Sequence, residues 1–178
     1  MNHFILLSAL TIILFSCQRK TDTAKTKQFA QTIHDYTHFQ FKTSQQEFVD
    51  KLTKDLNREQ QNNGVIIDIK KLRQLLDRAK QANQSSNEHI RNTTEIDNEI
   101  NLRQKALDEN ELFKSLYENE FEKIITAMEN KEPDKLNKAI HSLSAREDDI
   151  KKVQSATRQA DDEFTNKYNI SFPEDSTK

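Results

Sequence analysis

A single cysteine, Cys17, is the side chain of this sequence best suited to covalent chemistry. Its thiol follows a run of twelve residues, Phe4 to Phe15, that carries no charged side chain. Such a run suits the hydrophobic core of a signal peptide and is too short to span a bilayer of ~30 Å comfortably. The basic residues Arg19 and Lys20 lie just beyond it. The position of the thiol therefore indicates an exported chain that is processed next to Cys17.

The run Leu14-Phe15-Ser16-Cys17 resembles the lipobox of bacterial lipoproteins, with leucine at −3, a small residue at −1 and cysteine at +1. The resemblance implies that residues 1–16 are a lipoprotein signal peptide, cleaved between Ser16 and Cys17. It also implies that Cys17 carries a diacyl lipid and an N-acyl chain such as palmitate. Each buried methylene contributes ~0.8 kcal/mol, so several chains would anchor the protein permanently. The alternatives are an ordinary signal peptide and an uncleaved anchor with an accidental cysteine.

The residue after the predicted lipidation site bears on which membrane the protein reaches. In some bacterial lipoproteins an acidic residue at this position signals retention at the inner membrane, and this chain has Gln18 there. The resemblance therefore favours a cell-envelope protein anchored in the outer membrane. Whether it faces the periplasm or the cell surface stays open.

Two histidines have a spacing that suits metal binding. His34 and His38 are four residues apart, which places both imidazoles on one face of a helix. Zinc sites need at least one further protein ligand, and only His89 or His141 from other helices could add an imidazole. His34 and His38 are therefore the candidate metal ligands of the sequence, and we predict that they form no functional metal site.

The sequence offers no recognisable catalytic set. It contains no GxSxG motif, no glycine-rich phosphate loop and no pair of CxxC motifs, and its single glycine limits close backbone approach to a ligand. The carboxylate pairs Asp148-Asp149 and Asp161-Asp162 diverge by about 100° on a helix, so we interpret them as a solvated face. We expect no enzymatic activity and no cofactor apart from the covalent lipid on Cys17.

Two tripeptides match a short motif for O-glycosylation. Asp22-Thr23-Ala24 and Asp175-Ser176-Thr177 resemble the short Asp-Ser/Thr-x O-glycosylation motif of some exported Gram-negative proteins. Thr23 and Ser176 would carry the sugar.

Composition favours helices over sheets. Charged residues make up 31% of the chain and hydrophobic residues 34%, with one glycine, two prolines and no tryptophan. A sheet protein needs turn residues far more often than this, whereas helices with narrow apolar stripes fit the balance. A net charge of −2 with interspersed signs argues against a nucleic-acid partner.

Apolar periodicity predicts an all-α fold, an elongated antiparallel bundle of about four long helices with coiled-coil-like seams. The helices are expected over 27–62, 65–107, 109–130 and 133–168. Lipidated Cys17 and a polar tether fill 17–26, the helical bundle domain covers 27–170, and 171–178 forms a disordered tail. An extended chain of two-helix coiled coils is the alternative.

Two of these helices carry internal capping signals. Ser44-x-x-Glu47 predicts that the first helix kinks or restarts at Ser44, and Ser85-x-x-Glu88 offers a break in the second. We favour one long second helix with a weak or bent middle.

The seam of the second helix is polar at Asn83, Ser86, Thr93 and Asp97. These residues either line a small pocket, fix the register, or mark a poorly packed middle, and the last is the simplest interpretation.

These features together favour a non-catalytic, lipid-anchored helical module of the cell envelope. It would act as an adaptor or scaffold through contact with an envelope protein whose identity the sequence does not give. The alternatives are a bundle that carries a ligand or metal and an inhibitor or immunity lipoprotein. A carrier needs a cavity with convergent polar groups, whereas an adaptor shows filled seams and an exposed apolar groove.

Overall fold

The structure, a computed structural model, describes residues 23–60 and 67–172, which form helices with no strand among them. In chain order the elements are α1 (23–34), the π-helical segment π1 (Asp35–Gln40), α2 (Phe41–Gln60), α3 (Ile69–Arg91), α4 (Leu102–Leu116), the π-helical segment π2 (Tyr117–Phe121), α5 (Glu122–Glu129), α6 (Pro133–Ser144) and α7 (Glu147–Tyr168). The π segments continue the helices on either side of them, and only a short step separates α6 from α7. The elements therefore form four long helical rods that pack together: the first is α1–π1–α2, the second α3, the third α4–π2–α5 and the fourth α6–α7. The predicted all-α helical bundle is confirmed. Within these residues no helix combines the length and apolarity needed to cross a membrane.

The first rod starts earlier than the sequence suggested. Residues 23–26, which we expected in the tether, are already helical, and Thr26 is buried. The restart predicted at Ser44 is wrong, because Ser44 lies inside α2. The irregularity is π1, whose wider turn changes the phase of the apolar stripe between α1 and α2.

The second rod is shorter than predicted. The favoured helix over 65–107 is wrong, and so is the alternative break at Ser85, because α3 continues through Ser85 and ends at Arg91. The Arg103 side chain from α4 folds back to cap this end, donating from Nε to the Ile90 carbonyl at 3.2 Å and from Nη2 to the Arg91 carbonyl at 3.1 Å. A distant side chain thus satisfies carbonyls that a continuing helix would have used.

The turn expected near residue 108 is absent, because α4 runs from Leu102 to Leu116 and continues through π2 into α5. The sequence shows a gap of six residues between apolar Leu107 and Phe113. Asn110 fills that gap and is fully buried. The seam is therefore continuous, with a polar residue at one of its core positions.

The fourth rod begins as predicted at Pro133, which occupies the first helical turn of α6 and needs no backbone donor there. A single helix to residue 168 is wrong, because Ala145 and Arg146 separate α6 from α7. At this step the Arg146 side chain lies between Glu120 of π2, with Nη1 3.8 Å from Oε1, and Asp149 of α7, with Nε 3.0 Å from Oδ2.

Two apolar cores lie along the rods. The first core joins α2, α3, the end of α4, π2, α5 and α6, and includes Leu76 and Phe121. The second core joins α1, the end of α3, the start of α4 and α7, with Phe29, Ile90 and Phe164 at its centre. Buried polar side chains lie between these two cores.

Candidate functional site

Most residues of the predicted anchor and modification sites lie outside the described part of the chain. These are Ser16, Cys17 and Ser176. Thr23 is the first residue described and lies exposed on α1.

The structure places one of the two candidate metal ligands. The His34 ring stacks on Phe172 with ring centroids 4.1 Å apart, and its Nδ1 lies 3.8 Å from Asp161 Oδ2. His38 belongs to π1, but its side chain is not among those described. Phe172 lies in the stretch 171–178 that the sequence predicts to be a disordered tail, and its ring contact with His34 holds it to α1.

The other histidines lie apart from this pair. His89 stacks on Tyr36, and His141 is exposed on α6. Among residues 23–60 and 67–172, no three histidine, cysteine or acidic side chains are placed to hold one metal ion.

The carboxylate pairs differ in their surroundings. Asp148 and Asp149 are exposed on α7, as the sequence suggested. Asp161 is not part of a solvated face, because its side chain is mostly buried against His34.

A polar layer, formed by Asn83, Ser86 and Asn110, separates the two cores. Asn110 donates from Nδ2 to Ser86 Oγ at 2.9 Å, and Ser86 Oγ donates to the Tyr36 carbonyl of π1 at 2.9 Å. Asn83 donates from Nδ2 to the Asn110 carbonyl at 3.0 Å. The prediction of a poorly packed middle is wrong for Asn83 and Ser86, because both are buried and hydrogen-bonded. The layer fixes how three rods align, since a shift along any of them would leave buried polar groups unpaired.

A polar cleft of about 490 Å³ opens between α3 and α4 beside this layer. Asn87 donates from Nδ2 to Glu111 Oε1 at 2.9 Å, and Arg91 donates to the same oxygen at 2.5 Å. The hydrogen bond from Asn87, together with the charges of Lys114 and Arg91, lowers the pKa of Glu111. Tyr117 closes one side, and burial raises its pKa, so the phenol stays neutral. The cleft can therefore hold a small polar ligand by charge and hydrogen bonding.

An apolar-floored groove of about 550 Å³ lies between α5 and α6. Its floor is formed by small side chains, including the buried Ala127 and Ala139 and the partly buried Ser142. Small side chains let the backbone of a second helix approach closely. We call this surface the α5–α6 groove.

Charged residues line the edges of the α5–α6 groove. Glu122 is engaged by α3, accepting from Lys80 Nζ at 2.5 Å and from Arg73 Nη1 at 3.3 Å. Lys123 and Lys138 have no ion-pair partner within residues 23–60 and 67–172. The groove therefore offers an apolar floor beside two ammonium groups, with the exposed Glu118 carboxylate at its π2 edge.

Neither surface was fully predicted from the sequence. Asn83 and Ser86 had indicated a pocket or a register device, and Asn83 does line the polar cleft. The α5–α6 groove was not predictable from the sequence, because Ala127, Ala139 and Ser142 are common residues in any helix. No protein family, curated protein or solved structure matches the chain.

Proposed function

We propose that this protein is a non-catalytic, lipid-anchored helical module of the bacterial cell envelope that acts through contact with another protein. The anchor rests on Leu14-Phe15-Ser16-Cys17, which resembles a lipobox, and on the uncharged run before it. The α5–α6 groove is the observation that carries the protein-contact part. Its small-residue floor suits an amphipathic helix laid along it.

The charges beside the groove narrow the kind of partner. Lys123 and Lys138 have no ion-pair partner among the described residues and can pair with carboxylates. Of the acidic residues that line the groove, Glu122 pairs with Arg73 and Lys80 and Glu132 with Lys135, which leaves Glu118. A partner helix with an apolar stripe and acidic flanks would therefore complement the groove. Such a contact would be small and reversible, as suits an adaptor.

Site-specific photo-crosslinking in cells tests the contact. A photoreactive residue at Ser142, inside the groove, should give one dominant crosslinked product, and the same residue at exposed Asn137 on α6 should not. The double substitution Lys123→Glu and Lys138→Glu should reduce that product about tenfold or more, because like charges across an interface cost several kcal/mol. Equal products at both positions, or no effect of the charge reversal, would reject the groove as the contact surface.

Metabolic labelling tests the anchor separately. Cys17→Ser should abolish incorporation of labelled palmitate and leave an uncleaved precursor or release the protein from membranes. Undiminished labelling of this variant would end the lipoprotein interpretation.

A second candidate function, carriage of a small polar ligand, is favoured by the polar cleft between α3 and α4. Both cations and carboxylates line the cleft, among them the Arg91–Glu111 ion pair, so a zwitterion would find partners for both of its charges. Isothermal titration with a panel of amino acids and short peptides tests this candidate. If a ligand binds, and Glu111→Gln weakens the binding while Glu99→Gln leaves it unchanged, the result would favour ligand carriage over protein contact.

A further inference from the structure

The register of α1 against α7 shows which parts of the chain share one end of the bundle. The Phe29 and Phe164 rings lie 5.1 Å apart, and His34 Nδ1 lies 3.8 Å from Asp161. As the residue number rises along α1, the number of the α7 residue that it contacts falls, so the two helices are antiparallel. The first turn of α1 therefore lies level with the last turn of α7, near Tyr168.

The loop between α3 and α4, residues 92–101, lies at the same end. Asp97 Oδ2 accepts hydrogen bonds from Lys167 Nζ at 2.6 Å and from Tyr168 Oη at 3.0 Å. Since Tyr168 is level with the start of α1, this loop is close to residue 23 along the axis of the bundle.

Apolar side chains reach the surface at this end. Ile96 is 37% exposed and is the one large hydrophobic residue classed as exposed in the described ranges. Ile100, Tyr168 and Ile170 pack against the second core from the same end and are only partly buried. We call Ile96, Ile100, Tyr168 and Ile170 the end face. Isoleucine with a neighbouring tyrosine suits the boundary between lipid headgroups and acyl chains.

The chain allows little distance between this end and a membrane anchor. Six residue steps separate Cys17 from residue 23. Whatever their conformation, six steps span at most ~22 Å. If residues 4–15 were instead an uncleaved anchor, the stretch of chain between that anchor and residue 23 would be only slightly longer. Either form of attachment therefore holds the start of α1 near the headgroups.

We propose that the end face rests on the lipid surface, with Ile96 inserted at the level of the headgroups. This inference rests on the proposed membrane attachment and adds the orientation of the domain. Exposed Lys25 and Lys27 in the first turns of α1 would favour anionic lipid. Lys167 is shared between buried Asp97 and exposed Glu99, so the Glu99 carboxylate would stay in the water layer of the headgroups.

The orientation also determines where a partner is met. The α3 helix has 23 residues and is about 34 Å long, with its last residues at the end face and Leu72 to Ala79 in the first core. The α5–α6 groove belongs to that far half of the bundle. It would be held away from the membrane, where another envelope protein can reach it.

A tryptophan probe tests the orientation, because the chain contains no tryptophan of its own. Full-length Ile96→Trp and Asn137→Trp would be purified from membranes of the producing cells. Each would be reconstituted in vesicles of phosphatidylethanolamine with a minority of phosphatidylglycerol, with and without brominated acyl chains. Flotation of the vesicles reports attachment independently of fluorescence.

We expect both variants to float with the vesicles, and brominated lipid to reduce the emission of Ile96→Trp by about half, as for an indole at the membrane interface. The emission of Asn137→Trp should not change. Flotation without quenching of Ile96→Trp, or equal quenching of both variants, would overturn the orientation and leave the anchor standing. Failure of both variants to float would overturn the anchor and the orientation together.

Discussion

The carboxylate of Asp97 fixes the loop between α3 and α4, and Asp97→Asn should weaken the fold measurably. Its Oδ1 accepts hydrogen bonds from the Glu99 and Ile100 amides at 3.1 and 3.3 Å. Its Oδ2 accepts from Lys167 and Tyr168 on α7. Asparagine can keep the two amide contacts, but it would place a neutral NH₂ donor against the Lys167 ammonium.

The magnitude follows from the pKa of this carboxyl group. The hydrogen bond from Lys167 is the largest cause that lowers the pKa of Asp97, from 3.8 to about 2. This difference between folded and unfolded chains corresponds to at most ~2.4 kcal/mol of folding free energy. Because the Lys167 side chain is 46% exposed, solvent screening reduces the expected loss to about 1–1.5 kcal/mol.

The sign of the pH dependence follows from the same shift. A lowered pKa in the folded state stabilises the protein at pH values above the unfolded pKa of 3.8. This contribution is lost as the pH falls toward about 2. The Asp97→Asn variant should therefore be less stable than the parent chain at neutral pH and should approach it in strong acid.

Urea unfolding of the chain from Thr21 onward, followed by circular dichroism at several pH values, measures this difference. Glu99→Gln is the matched control, because Glu99 lies 3.6 Å from the same Lys167 ammonium but is 90% exposed. It should cost less than about 0.5 kcal/mol. Equal stability of Asp97→Asn and the parent at pH 7, or a loss that persists unchanged at pH 2, would refute this account of Asp97.

Three further outcomes are expected. Leu76→Asp and Phe121→Asp should each lower the free energy of unfolding in urea by about 3 kcal/mol or more, because an unpaired charge would enter the first core. An unfolding midpoint equal to that of the parent would show that the substituted residue does not belong to the core. Ser86→Ala should cost about 1–3 kcal/mol by leaving the Asn110 amide without its acceptor, and an unchanged midpoint would mean that the polar layer stabilises nothing. The chain should retain no zinc, copper or nickel after desalting, and a retained equivalent that vanishes in His34→Ala/His38→Ala would establish a metal site.

The apolar stripe of α3 was predictable because its periodicity is local. Leu72, Leu76, Ala79 and Ile90 repeat at helical spacing, and all four are buried. The end of α3 was not predictable, because Arg103, a dozen residues further along the chain, satisfies its last carbonyls. A cap of this kind leaves no sequence signal in the helix that it ends.

Asn110 explains why the sequence predicts a turn near residue 108 where α4 is continuous. A polar residue at a core position reads as a gap in the apolar pattern, and a gap suggests a turn. Its partners, Ser86 and Asn83, lie on α3 and become adjacent only after the rods have packed. Similarly, Ala127 and Ala139 form a groove only when α5 lies against α6. The sequence therefore indicated the helices better than the surfaces between them.

Mass spectrometry of the N-terminal peptide tests the central claim most directly. The protein would be purified with detergent from the membranes of a bacterial host that expresses the full chain. The proposal predicts a peptide that begins at Cys17 and carries a diacylglyceryl thioether and an acylated amine. An intact N-terminus at Met1, or a mature terminus without lipid on Cys17, would contradict it.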